Sequence, residues 1–320
     1  MRPRHRGYVR GPRHRVPVGA ALLGGTPGDP GGDPTVPTAA FTVGTTVGVP
    51  TGTSLTTRTS LGSATSTGTF TITDPTGREN PVTLDVDIFE AIEYTTNRVV
   101  VHRTTGNVRL FRNCRFAVAA EVTMVECDEE GYQVANYMSP RTIFDHCTFD
   151  GTSTSSKAVS GGNMWMEYCH VTDCEDGLGG PFCSVAIGSN IISTTDGLAE
   201  PHCDGVQLLG IGKAIFWNCF IDAGSVVGAA SQALRIGSEF STNDNVTVAW
   251  SLLDGNAGGW TLQSRGDAGA APGNTNVHVY DCVVLPGGFG SVDFVDTTVA
   301  TWARVYSDTY GGTPISNPAP

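Results

Sequence analysis

Almost nothing in this chain of 320 residues repeats at the i, i+3, i+4 spacing of a helix face. The best candidate is Leu84 to Tyr94, where Val86, Phe89 and Ile92 face one way, and an entry strand fits it as well as a short helix. No apolar run reaches the length of a membrane span, so no membrane-crossing segment is expected. Charge is scarce, at 16% of residues, while glycine is abundant at 41, the profile of a turn-rich, weakly charged β protein. There is no Cys-x-x-Cys pair. Cys169, Cys174, Cys183 and Cys203 lie near His170 and His202 in the sequence, but their spacings match no zinc module, so no metal is expected. No cofactor is expected either, and nothing supports a calcium site. The nine cysteines are an odd number and cannot all pair internally; reduced thiols buried in a core are the expectation.

Basic residues are also nearly confined to one place. The first fifteen residues hold six Arg, two His and no acid, which leaves 13 basic groups against 31 acidic ones in the rest, a net charge of −18. A body that acidic repels nucleic acid, whose binding depends on Lys and Arg along the phosphates. Residues 1–40 are rich in Pro, Gly and Arg and read as a flexible basic arm. The arm imitates a signal peptide, with Arg-rich residues ahead of Val16-Pro-Val-Gly-Ala-Ala-Leu-Leu23, but Pro17 and Gly19 interrupt the apolar stretch.

What is present is a repeat. An apolar residue, two spacers, a small residue that is usually Cys, one spacer and another apolar residue recur along the chain. The first instances are Phe111-Arg-Asn-Cys114-Arg-Phe116, Phe144-Asp-His-Cys147-Thr-Phe149 and Met166-Glu-Tyr-Cys169-His-Val171. The pattern returns around Asn190, Cys219, Ser251 and Cys282, with successive anchors 21 to 33 residues apart. A period in that range marks a solenoid whose turns bury their apolar faces only on their neighbours. The segments are short, alternating and rich in Val, Ile, Phe and Thr, so they read as strands. The expected fold is all-β: a right-handed, single-stranded parallel β-helix with a disordered basic N-terminal arm. Its parts are the arm at 1–40, an N-terminal cap or first coil at 41–80, the β-helix at 81–285, and a C-terminal cap and tail at 286–320. The polar residue before the anchor (Asn113, His146, Asn218, Asp281) suits a bend, because Asn and Asp tolerate left-handed backbone angles. Strands about 4.8 Å apart over seven or more coils give a rod of roughly 35–45 Å. Its ribbed faces suit an extended polymer better than a small ligand.

The densest polar motif is Glu200-Pro-His202-Cys-Asp204-Gly-Val-Gln207. One repeat earlier lies Asp176; one repeat later lie Gln232 and Arg235; a further repeat on lie Trp260, Gln263 and Arg265. Residues one repeat apart stack on one face of a solenoid, so these groups are expected to form a strip of carboxylate, imidazole, amide and guanidinium. Asp204, His202, Arg235 and Asp176 are the candidate catalytic residues. Gln207, Gln232, Trp260, Gln263 and Arg265 are the candidate substrate contacts. Paired carboxylates suit glycosidic hydrolysis; a base with an Arg suits elimination across a uronic acid; the whole strip suits sugar binding alone. The plain alternative is that Asp-Gly pairs are turn chemistry.

Gly48-Val-Pro-Thr-Gly-Thr-Ser-Leu55, the Asn-Cys-x-Phe coils, His202-Cys-Asp-Gly-Val-Gln207 and Ala233-Leu-Arg-Ile236 together resemble right-handed parallel β-helix proteins of the pectate-lyase-like superfamily. The likeness, over about residues 45–285, is to the form found in actinobacteria and their phages' tails. Polygalacturonase motifs are absent except for Arg235-Ile236, where Gly237 replaces the Lys. The resemblance implies a virion component, a minor tail or tail-spike protein that recognises host surface polysaccharide. Its arm would dock other tail proteins, and a homotrimer would suit a spike. The alternatives are a secreted polysaccharide lyase or glycoside hydrolase, and a purely structural β-helix.

Overall fold

The computed structural model describes residues 34–318, apart from 97, 103–105, 118–120, 126–136, 152–156, 162, 181–183, 194–202, 211–212, 225–230, 239–241, 257–258 and 267–272. Among the described residues there is no helix; the chain is a parallel β-helix with three strands to a coil. Among the described residues no helix is long and apolar enough to cross a membrane. The stretch Leu84 to Tyr94 belongs to two strands, Val82–Glu90 and Ile92–Tyr94.

The first face stacks from Val82–Glu90 through Val108–Arg112, Thr142–Asp145, Met164–Glu167, Ser184–Ile187, Ala214–Trp217 and Val246–Ala249 to the last coils. The second runs from Ile92–Tyr94 through Arg115–Ala117, Thr148–Asp150, His170–Cys174, Asn190–Ser193, Phe220–Asp222 and Leu252–Asp254. The third contains Arg98–His102, Glu121–Val125, Lys157–Ser160, Asp176–Gly180, Val206–Leu209, Leu234–Gly237, Trp260–Arg265 and Gly290–Val295.

Strand alternation puts every second side chain inside, and parallel register stacks like on like. Phe89, Phe111, Phe144 and Met166 form one inward column, and Tyr94, Phe116, Phe149 and Val171 the next. Their rings stack at the coil spacing, with centroids 5.0 Å apart for Phe89–Phe111 and 4.8 Å for Phe116–Phe149. Each buried ring contributes about 1.5–3 kcal/mol by leaving water.

Between the first two faces the chain bends at a residue with positive φ. Asn113 (53°), His146 (52°), Asn218 (53°) and Asp281 (54°) hold that angle, as the sequence suggested, and so do Ala91, Tyr168 and Trp250. The small residue follows. Cys114, Cys147, Cys169, Cys219 and Cys282 are buried free thiols, and Cys147 donates its Sγ–H to the Phe111 carbonyl at 3.3 Å. The fourth anchor is Ser189, not Asn190: Phe220 pairs with Asn190, and the Cys169 N–H bonds Ser189 Oγ at 3.0 Å. The repeat is misread there by one residue because the inward apolar position is the small Ala186.

Two of the outer faces are covered by other parts of the chain. The hairpin Ser66–Ile72 with Val82–Glu90 brings Phe70 and Ile72 onto the first face. There they join Tyr137 and Met138 over Leu110, Ile143, Trp165 and Ile215. Asp74, at the hairpin's end, accepts the Tyr137 hydroxyl at 2.7 Å. Residues 34–49 form a strap that crosses the coils of the second face. Val36 packs on Phe220, Leu252 and Val283, and Asn190 clamps Phe41 by both its N–H (2.8 Å) and its carbonyl (2.9 Å). The Gly48 N–H then bonds the Tyr168 carbonyl at 2.8 Å. The strap thus includes residues 34–40, which the sequence assigned to the arm; residues 1–33 lie outside the described residues.

Candidate functional site

The third face is where the candidate strip falls. Register aligns Gly179, Gln207, Arg235, Gln263 and Asp293 in one outward column. The alternating neighbours Val206, Leu234 and Leu262 point inward and are buried. Arg265 lies two residues along, in register with Gly237 and Val295. Asp176, Asp204, Gln232 and Trp260 sit at the bend that feeds the face. The strip is therefore two to three parallel columns. Spacing alone had stacked Asp176, Asp204, Arg235 and Arg265 in a single one, but Asp204 and Arg235 differ by three positions in register because the strand starts after the bend.

The bend residues are held tightly. Asp176 Oδ1 accepts the Asp204 N–H at 3.1 Å, and Asp204 Oδ1 accepts the Gln232 N–H at 2.8 Å, so one carboxylate per coil stitches the next. Asp204 is 0% exposed and Asp176 5%. Burial and the neighbouring Asp176 charge push the Asp204 carboxyl well above the usual range, with the Gln232 N–H, Arg235 and Lys157 opposing. An acid so buried cannot touch a polymer lying on the face without moving. Lys157 Nζ lies 3.1 Å from Asp176 Oδ2 and donates to Gln207 Oε1 at 3.0 Å. Its stem crosses Gly179, where an added Cβ would stand 2.7 Å from Nζ, so a glycine is what allows the lysine to lie flat.

Further along, Gln263 Nε2 donates to Asp293 Oδ2 at 3.0 Å, and Arg265 Nε to the same oxygen at 2.6 Å. Arg265 is exposed, Arg235 and Gln207 are half-buried, and Gln263 is 8% exposed. Trp260 is half-buried, its ring packed on Gly290 of the next coil. His202 lies outside the described residues. Gln207 and Arg235 are the more open members of the column, one strand spacing of about 4.8 Å apart, while Gln263 is buried against Asp293.

A second polar cluster escaped the sequence reading. Arg112, Asp145 and Glu167 are in register on the outer side of the first face, next to the bend. Asp145 accepts Arg112 Nε at 2.9 Å and lies 2.6 Å from His146 Nδ1; Glu167 accepts the Trp165 indole N–H at 2.5 Å. His146 and Tyr168 place their rings 5.1 Å apart. Burial and the Asp145 charge push Glu167 up to about 7, against the Trp165 hydrogen bond and His146. Burial would raise Asp145 too, but the bonds from His146 and Arg112 outweigh it, and its carboxyl sits below the usual range. The signal was in the repeat itself: these residues are its two spacers, which stack from coil to coil as surely as the anchors do.

The fold defines a class, a parallel β-helix, and among the described residues its third face carries a polar column. Comparison of the chain with protein-family models, curated proteins and solved structures returns no significant match.

Proposed function

We propose that this protein recognises an extended polysaccharide on a cell surface, as a minor tail or tail-spike component of a phage. The observation that carries the reading is the outward column Gln207–Arg235–Gln263–Asp293, which is not covered by strap or hairpin as the other faces are. Amides and guanidinium groups suit sugar hydroxyls and carboxylates, and a column repeating at the coil spacing suits a polymer more than a small molecule. The Arg-rich arm supports attachment to other tail proteins. It precedes a strap whose first described residues lie against Phe220, Leu252 and Val283. A trimer would place three such faces around one axis.

Binding of the full chain to polysaccharide extracted from actinobacterial cell envelopes tests the reading. Arg235→Ala should weaken binding about tenfold, equivalent to one charge-assisted contact. Binding unchanged in Arg235→Ala and in Gln263→Ala would defeat the proposal.

A further inference from the structure

Asp176 and Asp204 at the bend of the third face are buried, whereas Asp145 and Glu167 at the first bend are partly exposed. We infer that Asp145 and Glu167 form a separate catalytic site, a pair of carboxyl groups that hydrolyses a glycosidic bond of the polysaccharide. The inference rests on the polysaccharide reading for its substrate class and on the cluster geometry for its chemistry.

The two residues are direct partners on adjacent parallel strands, and both alternate outward, since Phe144 and Met166 beside them point in. Strands so paired lie about 4.8 Å apart, which brings the two carboxyl groups within reach of the roughly 5–5.5 Å separation of an acid and a nucleophile in retaining glycosidases. Their surroundings differ in the way those two roles require. Asp145 is held ionised by Arg112 and His146, while Glu167 accepts one neutral indole N–H. The charged groups facing Glu167 are Asp145 and His146 from the preceding coil; the in-register residue of the next coil is the apolar Ile187. The site is partly open: the side chains of Arg112, Asp145 and His146 are 32%, 14% and 31% exposed, and Glu167 is half-buried. Tyr168 flanks it at the bend, a ring against which a sugar can pack.

In the first step an Asp145 oxygen bonds the anomeric carbon as the glycosidic C–O bond breaks, and the Glu167 proton passes to the leaving oxygen. In the second, Glu167 takes a proton from water, whose oxygen displaces Asp145 from the same carbon. Glu167 is then protonated again and the net change is addition of one water. Glu167 must be protonated and Asp145 ionised. Turnover should therefore fall as pH rises through about 7, the Glu167 value, and again in acid once Asp145 takes a proton.

The experiment incubates the full chain, Glu167→Gln and Asp145→Asn with the same envelope polysaccharide, and with polygalacturonate beside it. It measures co-sedimentation with polymer, new reducing ends and product mass. The expected result is reducing ends from the parent, a loss of about 10²-fold or more in both variants, and unchanged co-sedimentation. Binding without reducing ends overturns the catalytic inference and leaves the recognition reading standing. Neither binding nor cleavage overturns both. Product masses short of one water would mean elimination and overturn hydrolysis. Circular dichroism checks each variant's fold, and the parent's pH profile serves if a variant does not fold: no decline above pH about 7 counts against Glu167 as the acid.

Discussion

Gly205 shows how little room the bend before the third face leaves. A Cβ built there would stand 2.7 Å from the Ala233 carbonyl oxygen, 2.8 Å from Ile221 Cγ2 and 3.0 Å from the Asp222 carbonyl oxygen. Two of those atoms are backbone and cannot swing aside. Gly205→Ala should therefore cost about 1–3 kcal/mol, measured by urea unfolding, although the substitution is mild and the backbone angle ordinary. An unchanged midpoint would mean that the coils slide apart more easily than their hydrogen bonds imply. The Asp-Gly pair at 204–205 is thus a packing requirement as well as a turn signal. The same residue scale separates the two acid pairs. Asp176 and Asp204 each give one oxygen to a backbone N–H inside the bend, whereas the bonds to Asp145 and Glu167 come from side chains at a partly open surface.

At the scale of elements, the strap explains an oddity of the sequence. Phe220, Leu252 and Val283 are large apolar residues at outward positions of the second face, where the alternation calls for polar ones. They are 4–8% exposed because Val36 and its neighbours lie on them. Midway, Asn190 supplies one acceptor and one donor to Phe41. Asn190→Ala should free the strap and cost about 1–3 kcal/mol, because two strap groups lose their partners. Hydrogen exchange would show it as faster exchange of residues 36–49 with the coil amides still protected. Equal exchange along the strap and the coils would mean that strap and solenoid open as one unit.

For the whole molecule, the open question of any solenoid is its ends. At the N-terminal end Ser66–Ile72 pairs antiparallel with Val82–Glu90, and Thr56–Arg58 pairs in parallel with Ile92–Tyr94. At the other end Thr297–Tyr306 is the last strand of its sheet, and the tail folds back on it: the Ile315 N–H bonds the Val305 carbonyl at 2.8 Å, and Trp302 Nε1 bonds the Ile315 carbonyl at 2.8 Å. Tyr310 reaches Asp281 at 2.6 Å. A chain ending at Tyr306 should expose that edge and associate end to end. Light scattering after size exclusion would detect it as concentration-dependent mass; the same mass as the full chain would show that the tail is not the cap.

The sequence by itself determined the fold class, because a coil buries only what its neighbours offer and must repeat its inward residues. The phenylalanine columns, the cysteine anchors and the left-handed bends at Asn113, His146, Asn218 and Asp281 are all local in that sense. Where the repeat weakened, at Ala186 and Ser189, the reading slipped by one. Tertiary structure decided the rest. That Asp204 faces Gln232 and Arg235 faces Gln207 depends on register across loops of unequal length, which spacing only approximates. Which outer faces are covered was also decided there. That cover is supplied by a hairpin and a strap from distant parts of the chain, whose contacts leave no period in the sequence to read.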